Sequence, residues 1–279
     1  MKHILIPTDF SDCANAATTA ALEIAKKAEA EVCFIHFHKA QIAGGHAAMH
    51  GGTSMQSKHS SDQGSARNEL DRLVRSAEQF DVQAKQLLVF DDGQERLDAY
   101  IRSFNIDFIV MGSHGASGLK EMFIGSNTQH VIRESPVPVL VIKKEVKMFG
   151  PKNIVFASSF EQEVKEVFGT IATFAALWNS KLHLLYVNMP FNFKETDQAI
   201  ADMKGFTNGI PGTSINIYDA FNEERGIQKF AHEIGADLIA MTTHGRTGFM
   251  RMISPSIAES LVNHEEVPIL IVNTRFKNE

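Results

Sequence analysis

The feature that most constrains this chain is a repeat of about half its length. Met111-Gly112-Ser113-His114-Gly115 is followed, nine residues on, by Gly125-Ser126-Asn127-Thr128. At an offset of 130, Met241-Thr242-Thr243-His244-Gly245 is followed at the same spacing by Ser254-Pro255-Ser256-Ile257. Asp107-Phe108-Ile109-Val110-Met111 and Val137-Pro138-Val139-Leu140-Val141 also recur at that offset. Near the start the offset is 150, where His3-Ile4-Leu5-Ile6-Pro7-Thr8-Asp9-Phe10 answers to Asn153-Ile154-Val155-Phe156-Ala157-Ser158-Ser159-Phe160. The change of offset places about twenty extra residues in the first copy, between roughly 38 and 87. Repeats this long are whole domains rather than solenoid units. The sequence therefore divides into 1–145 and 150–279, joined by the charged, proline-ended run 143–151.

Each half is large enough to bury its own core. With 44% apolar and 22% charged residues the chain has the composition of ordinary globular domains. No apolar run reaches the length that spans a bilayer. The chain opens directly on a strand pattern, and Cys13 and Cys33 are too few for a disulfide or zinc framework, which fits a reducing cytoplasm. A net charge of −6 lacks the basic footprint of a nucleic-acid binder.

Apolar strands alternate with amphipathic helices in each half. The first copy reads as strands near 3–8, 31–37, 83–90, 107–111 and 137–142, with helices to about 28 from a cap at Ser11 or Asp12, and near 65–80, 94–104 and 126–134. Such alternation implies right-handed crossovers and a parallel sheet covered on both faces, a doubly wound α/β fold in each half. Ligand crevices in these sheets lie beyond the carboxyl ends of the strands, where Asp9, Phe37 and Gly112 all fall. Gly112 ends a strand without a Cβ to hold a ligand off. Gly125-Ser126-Asn127-Thr128 opens a helix, whose first N–H groups and positive dipole end suit a phosphate. The Ser126 and Thr128 hydroxyls are further donors or magnesium contacts.

Neither the P-loop nor the dinucleotide fingerprint is present; Gly112-x-x-Gly115-x-x-Gly118 has the wrong spacing. The residues instead resemble the universal stress protein family in its tandem two-domain form, along essentially the whole chain. The family's G-x2-G-x9-G-[ST] motif is matched by Gly112, Gly115, Gly125 and Ser126, and Ile4-Leu5-Ile6-Pro7-Thr8-Asp9-Phe10-Ser11 is similar to its opening strand and aspartate. The resemblance implies two adenine-nucleotide α-hydrolase-like domains and ATP, with magnesium, as ligand. Pro7, Thr8, Asp9 and the strand end at Phe37 would surround the adenine, and Met111 and Gly112 would lie against the ribose. Gly115, Gly125, Ser126, Asn127 and Thr128 would hold the phosphates. Asn127 stands where the family often has valine, which leaves its backbone N–H unaffected.

The second copy departs from the motif. Ser159 replaces the aspartate, Thr242 the first glycine, Ser254 the third, and Pro255 the serine. Proline is tolerated at the first position of a helix but has no N–H, and Thr242 brings a branched Cβ. One nucleotide per chain is expected, in the first copy. The last strand of each copy, 137–142 and 267–272, is short, apolar and at a sheet edge. Such edges invite pairing, and fusion raises the effective concentration of the partner edge, so an intramolecular pseudo-dimer is expected. A homodimer of tandem chains would be a further assembly.

Residues 41–63 are rich in glycine and serine and are expected to be mobile over about 42–62. They hold His46, His50 and His59, directly after His36 and His38. His46 and His50, four apart, are metal candidates only if a helix forms, which the flanking glycines oppose. His36 reads as a strand-end residue near the nucleotide, His114 and His244 as loop packing, and Lys120 and Arg133 as surface charge. No catalytic constellation stands out. The favoured function is a nucleotide-dependent stress-response module with an unknown protein partner and at most slow ATP hydrolysis. The rivals are an ATP-using enzyme of the same architecture and a metal-responsive protein acting through the histidine loop.

Overall fold

A computed structural model of the chain describes residues 1–39, 54–91, 97–114, 124–144, 148–207, 210–243 and 254–274, with the side chains of Lys39, residues 54–62 and Asp91 excepted. The first half supplies β1 (His3–Pro7), α1 (Asp12–Ala28), β2 (Glu31–Lys39), α2 (Ser54–Gln79), β3 (Ala84–Asp91), α3 (Leu97–Ser103), β4 (Phe108–Gly112), α4 (Ser126–Glu134) and β5 (Val139–Ile142). The second supplies β6 (Asn153–Ala157), α5 (Gln162–Trp178), β7 (Lys181–Asn188), α6 (Thr196–Lys204), β8 (Thr213–Asp219), α7 (Glu223–Ile234), β9 (Leu238–Thr243), α8 (Pro255–His264) and β10 (Ile269–Asn273).

All ten strands form one sheet, in the order β3-β2-β1-β4-β5-β10-β9-β6-β7-β8. Every neighbouring pair is parallel except β5 with β10, which is antiparallel. The expected pairing of the two terminal strands is thus present, and the two half-sheets are continuous through it. Within the first half the chain moves from β1 outward to β3 and then crosses back to β4. The gap between β1 and β4 is therefore the point where strand order reverses, and where a crevice opens in a doubly wound sheet.

Alternate strand residues feed two cores, as a pleated sheet covered on both faces requires. One contains Ile4, Phe34, Phe108, Phe156 and the apolar stripes of α1, α2, α5 and α6. The other contains Leu5, Ile35, Ile109 and Val155 under α3, α4, α7 and α8. Both cross the junction between halves. Phe108 of β4 stacks on Phe174 of α5, with ring centroids 5.8 Å apart. The duplication also shows at the strand starts: Asp107 accepts from the amides of Lys2 and His3, and Asp237 from those of Lys152 and Asn153.

Two boundaries differ from expectation. The α2 helix starts at Ser54 rather than near 65, because the stripe Ala66, Leu70 and Ala77, buried against the sheet, anchors a helix that propagates through polar residues upstream. That helix takes in residues 54–62, expected to be mobile; 40–53, with His46 and His50, lie outside the described residues. The β5 strand starts at Val139 because Pro138 offers no N–H, although its carbonyl still accepts from Ile109 at 2.9 Å.

Candidate functional site

The crevice between β1 and β4 is assembled from four chain segments. After β1, the Thr8 hydroxyl accepts from the Phe10 amide at 3.1 Å, and Phe10 takes a left-handed φ of 65°. One Asp9 carboxylate oxygen accepts from the Ser11 amide at 3.2 Å and from its hydroxyl at 2.6 Å. The Ser11 hydroxyl in turn caps α1 by accepting from the Ala14 amide. The turn is thus locked by side chains, and it holds Asp9 at the sheet's carboxyl edge.

At the end of β2, the His36 ring donates from Nδ1 to the Thr8 carbonyl at 2.8 Å and lies 4.5 Å from the Phe10 ring. That bond leaves Nε2 as an acceptor in the neutral ring. Burial lowers the His36 pKa, opposed by the Thr8 hydrogen bond and assisted by His38. Phe37 points to the other face and meets Tyr100 edge-on at 5.9 Å.

The end of β4 is clamped to the start of α4. The Gly125 amide donates to the Ser113 carbonyl at 2.9 Å, and the Thr128 hydroxyl donates to the Gly112 carbonyl at 3.0 Å. Gly112 has a packing reason that sequence reading missed. A Cβ there would sit 3.0 Å from the Cys13 sulfur and 3.1 Å from its carbonyl carbon and oxygen. Glycine lets the strand end close on the start of α1. The cap of α4 is Gly125, which offers no side-chain hydrogen bond to the first turn. The matching helix in the second half is capped by Ser254, which accepts from the Ser256 amide, and Pro255 removes one N–H. The first turn of α4 thus has no side-chain cap from its N-cap residue, whereas that of α8 has one and carries one N–H fewer.

Pro7, Thr8, Asp9, Phe37, Met111, Gly112, Gly125, Ser126, Asn127 and Thr128 all line one cavity of about 370 Å³, together with Ala14, His36 and His114. That volume lies within the usual range for small-molecule pockets. Gly115, Lys120 and His244 lie outside the described residues. Thr128 is buried and its hydroxyl, which donates to the Gly112 carbonyl, clamps the end of β4 to the first turn of α4. One reading changes. His114, read as loop packing, is a cavity wall, with its Nδ1 2.9 Å from the Ser113 hydroxyl.

Arg133 is not simply surface charge. Its guanidinium makes a bidentate pair with Glu259 of α8, which also accepts from Gln129 at 2.6 Å. Burial raises the Glu259 pKa, but the bonds from Arg133 and Gln129 outweigh it and the net shift is downward. A polar clamp between α4 and α8 thus joins the halves on one face of the sheet.

In the second half the equivalent crevice is nearly closed, with about 60 Å³ of space. Thr242, in the place of Gly112, is buried with its hydroxyl 3.2 Å from that of Ser158. Tyr186, in the place of His36, is buried under the segment that follows β7 and donates to the Asn192 carbonyl at 3.4 Å. Met189, Asn192 and Lys194 of that segment line what space remains. Burial alone raises the pKa of Glu223 on its wall. The copy-two substitutions in the motif hinted at a lost ligand, but nothing in their pattern marked Met189, Asn192 and Lys194 as part of that wall. Among the described residues, no group of three or more His, Cys, Asp or Glu is placed to hold a metal ion. No described helix is long and apolar enough to cross a membrane.

Comparison with known proteins is consistent across sequence and fold. The sequence model of the Universal stress protein family matches residues 1–143 and 221–273. Universal stress protein MJ0577 of Methanocaldococcus jannaschii is 34% identical over 80 residues, 29% of this chain and 49% of that protein, so the match spans about half of that relative's length. Universal stress protein MJ0531 of the same organism is 31% identical over 146 residues, 52% of this chain and 84% of the relative. A solved universal stress protein from Archaeoglobus fulgidus superposes with a TM-score of 0.75 over 98% of both chains, at 21% identity, which shows the fold.

Proposed function

The chain belongs to the universal stress protein family, and from that premise we propose that residues 1–145 bind ATP while residues 150–279 form a counterpart without nucleotide. The molecule is then a nucleotide-dependent module of the stress response rather than an efficient enzyme. The observation that carries this reading is the contrast between the two crevices. One is open, lined by Asp9, Gly112 and the first turn of a helix with no side-chain cap. The other is nearly filled and its helix is capped by Ser254. Adenosine fits between the β1 turn and the ends of β2 and β4. The phosphates run to the start of α4, where the exposed Ser126 hydroxyl is the group to meet a phosphate or its magnesium ion.

Mass spectrometry of small molecules released from freshly purified protein tests this directly, and adenine nucleotide is expected. Calorimetry should then give one site per chain. Two equivalent sites, or tight binding by residues 150–279 alone, would sink the assignment. Phosphate release measured on the same sample should be slow; rapid turnover would instead favour the ATP-using enzyme.

A further inference from the structure

Three phenylalanines stand in solvent on the second half. Phe191, Phe193 and Phe221 are 91%, 68% and 69% exposed. They come from two segments, one following β7 and one between β8 and α7. Phe191 and Phe221 meet edge to face, with centroids 6.5 Å apart. Contiguous exposed apolar surface of this kind marks an interaction site more often than chance.

The two segments are held rather than loose. The Asn192 amide donates to the Met189 carbonyl at 3.1 Å, and the Lys194 amide to the Asn188 side chain at 3.0 Å. The Lys194 ammonium pairs with Asp202 at 2.8 Å and lies 5.0 Å from the Tyr186 ring centroid. Buried Asn188 also ties the segments together: its amide nitrogen donates to Asp219 at 3.2 Å and its carbonyl accepts from Ala220 at 3.0 Å. Met189, Asn192 and Lys194 of the first segment line the second crevice, and its phenylalanines face solvent. Aromatic anchors already fixed in place cost little entropy to bind.

The surroundings of the patch are acidic. Exposed Glu195 and Asp197 follow Phe193 and exposed Asp219 precedes Phe221, against one exposed cation, Arg225, after Phe221; Lys194 is paired with Asp202. We propose that this surface docks a protein segment carrying apolar anchors interspersed with lysine or arginine. The acidic rim opposes an anionic membrane surface, which attracts basic patches. The second half has then exchanged a ligand crevice for a docking surface built from the segment that closed it.

The test uses the full chain and fluorescence anisotropy with three synthetic peptides: an amphipathic helix of leucine, phenylalanine and lysine, the same pattern with glutamate for lysine, and a lysine peptide without apolar residues. Only the first should bind, and raising salt should weaken it. Phe191→Ser/Phe193→Ser/Phe221→Ser should weaken binding by about tenfold or more with unchanged circular dichroism, since losing two or more anchors removes over 1.4 kcal/mol. Glu195→Lys/Asp197→Lys should also weaken it and reduce the salt dependence. No binding of the first peptide, equal binding of the glutamate peptide, or a triple variant that binds like the parent overturns the proposal. Vesicles of phosphatidylcholine with phosphatidylserine, and sedimentation velocity, provide the remaining outcomes. Binding to vesicles, or a dimer, that is lost in the triple variant would assign the patch to a membrane or to a second copy and overturn it equally.

Discussion

Leu140 of β5 and Leu270 of β10 lie directly opposite each other in the antiparallel pair that joins the two half-sheets, and both are fully buried. They are the same position of the repeat, 130 residues apart. On either side, Val141 faces Ile269 and Val139 faces Ile271. The junction is therefore self-complementary, as an isologous dimer interface is, with each copy presenting the same strand to the other.

Leu140→Ala and Leu270→Ala should each cost about 2–5 kcal/mol, from lost transfer energy and the cavity left behind. The double variant should cost less than the sum, because opposed residues share one space and couple. Urea unfolding of the three variants checks this. Strict additivity would mean that the two side chains do not share a packing site.

Gly112→Ala should destabilise the chain by about 1–3 kcal/mol, since the new Cβ would press on Cys13. Cys13→Ala in the same background should restore only part of the loss. It removes the sulfur contact and leaves the two contacts with the Cys13 backbone. Thermal melts of the single and double variants read both effects.

Gly125→Val should abolish nucleotide binding with little loss of folding, because the side chain enters the space before α4. The matching change in the second half, Ser254→Val, should leave nucleotide affinity unchanged although it removes the cap of α8. Calorimetry on both variants is the check, and equal losses would place the nucleotide elsewhere.

Arg133→Met should cost about 1–3 kcal/mol at neutral pH, since the poorly exposed Glu259 carboxylate loses a charged partner. The net pKa of Glu259 is depressed in the folded chain, so its stabilisation is present above the ordinary glutamate value of about 4.3 and is lost as pH falls through the folded value. The penalty of the variant should therefore shrink in acid. A penalty independent of pH would show that Arg133 acts by packing alone.

His36 gives the opposite sign from a histidine that gains a carboxylate. Burial lowers its folded pKa, so the unfolded chain takes up the proton first. Stability should be full above about pH 6.5 and fall as pH drops below it, levelling once the folded ring is also protonated. His183, lowered by burial as well, adds to the same slope. His36→Gln should flatten the slope only in part; an unchanged profile would remove His36 as a cause.

The sequence by itself determined the architecture and the location of the crevice. The repeat marked two units, and the alternation of apolar strands with amphipathic helices marked doubly wound sheets. The short apolar runs around Leu140 and Leu270 marked the edges that join. Asp9, Phe37, Gly112 and Gly125 were legible because strand ends and helix starts carry local signals in residue type and spacing. Only the tertiary structure decided what those residues touch. Gly112 answers to Cys13, 99 positions earlier, and Thr128 turns its hydroxyl on the Gly112 carbonyl. Arg133 reaches Glu259 in the other copy, and Met189, Asn192 and Lys194 line the small crevice of the second half. These are contacts between segments distant along the chain. Their partners are set by how helices and loops pack over the sheet, and no periodicity or local spacing encodes that.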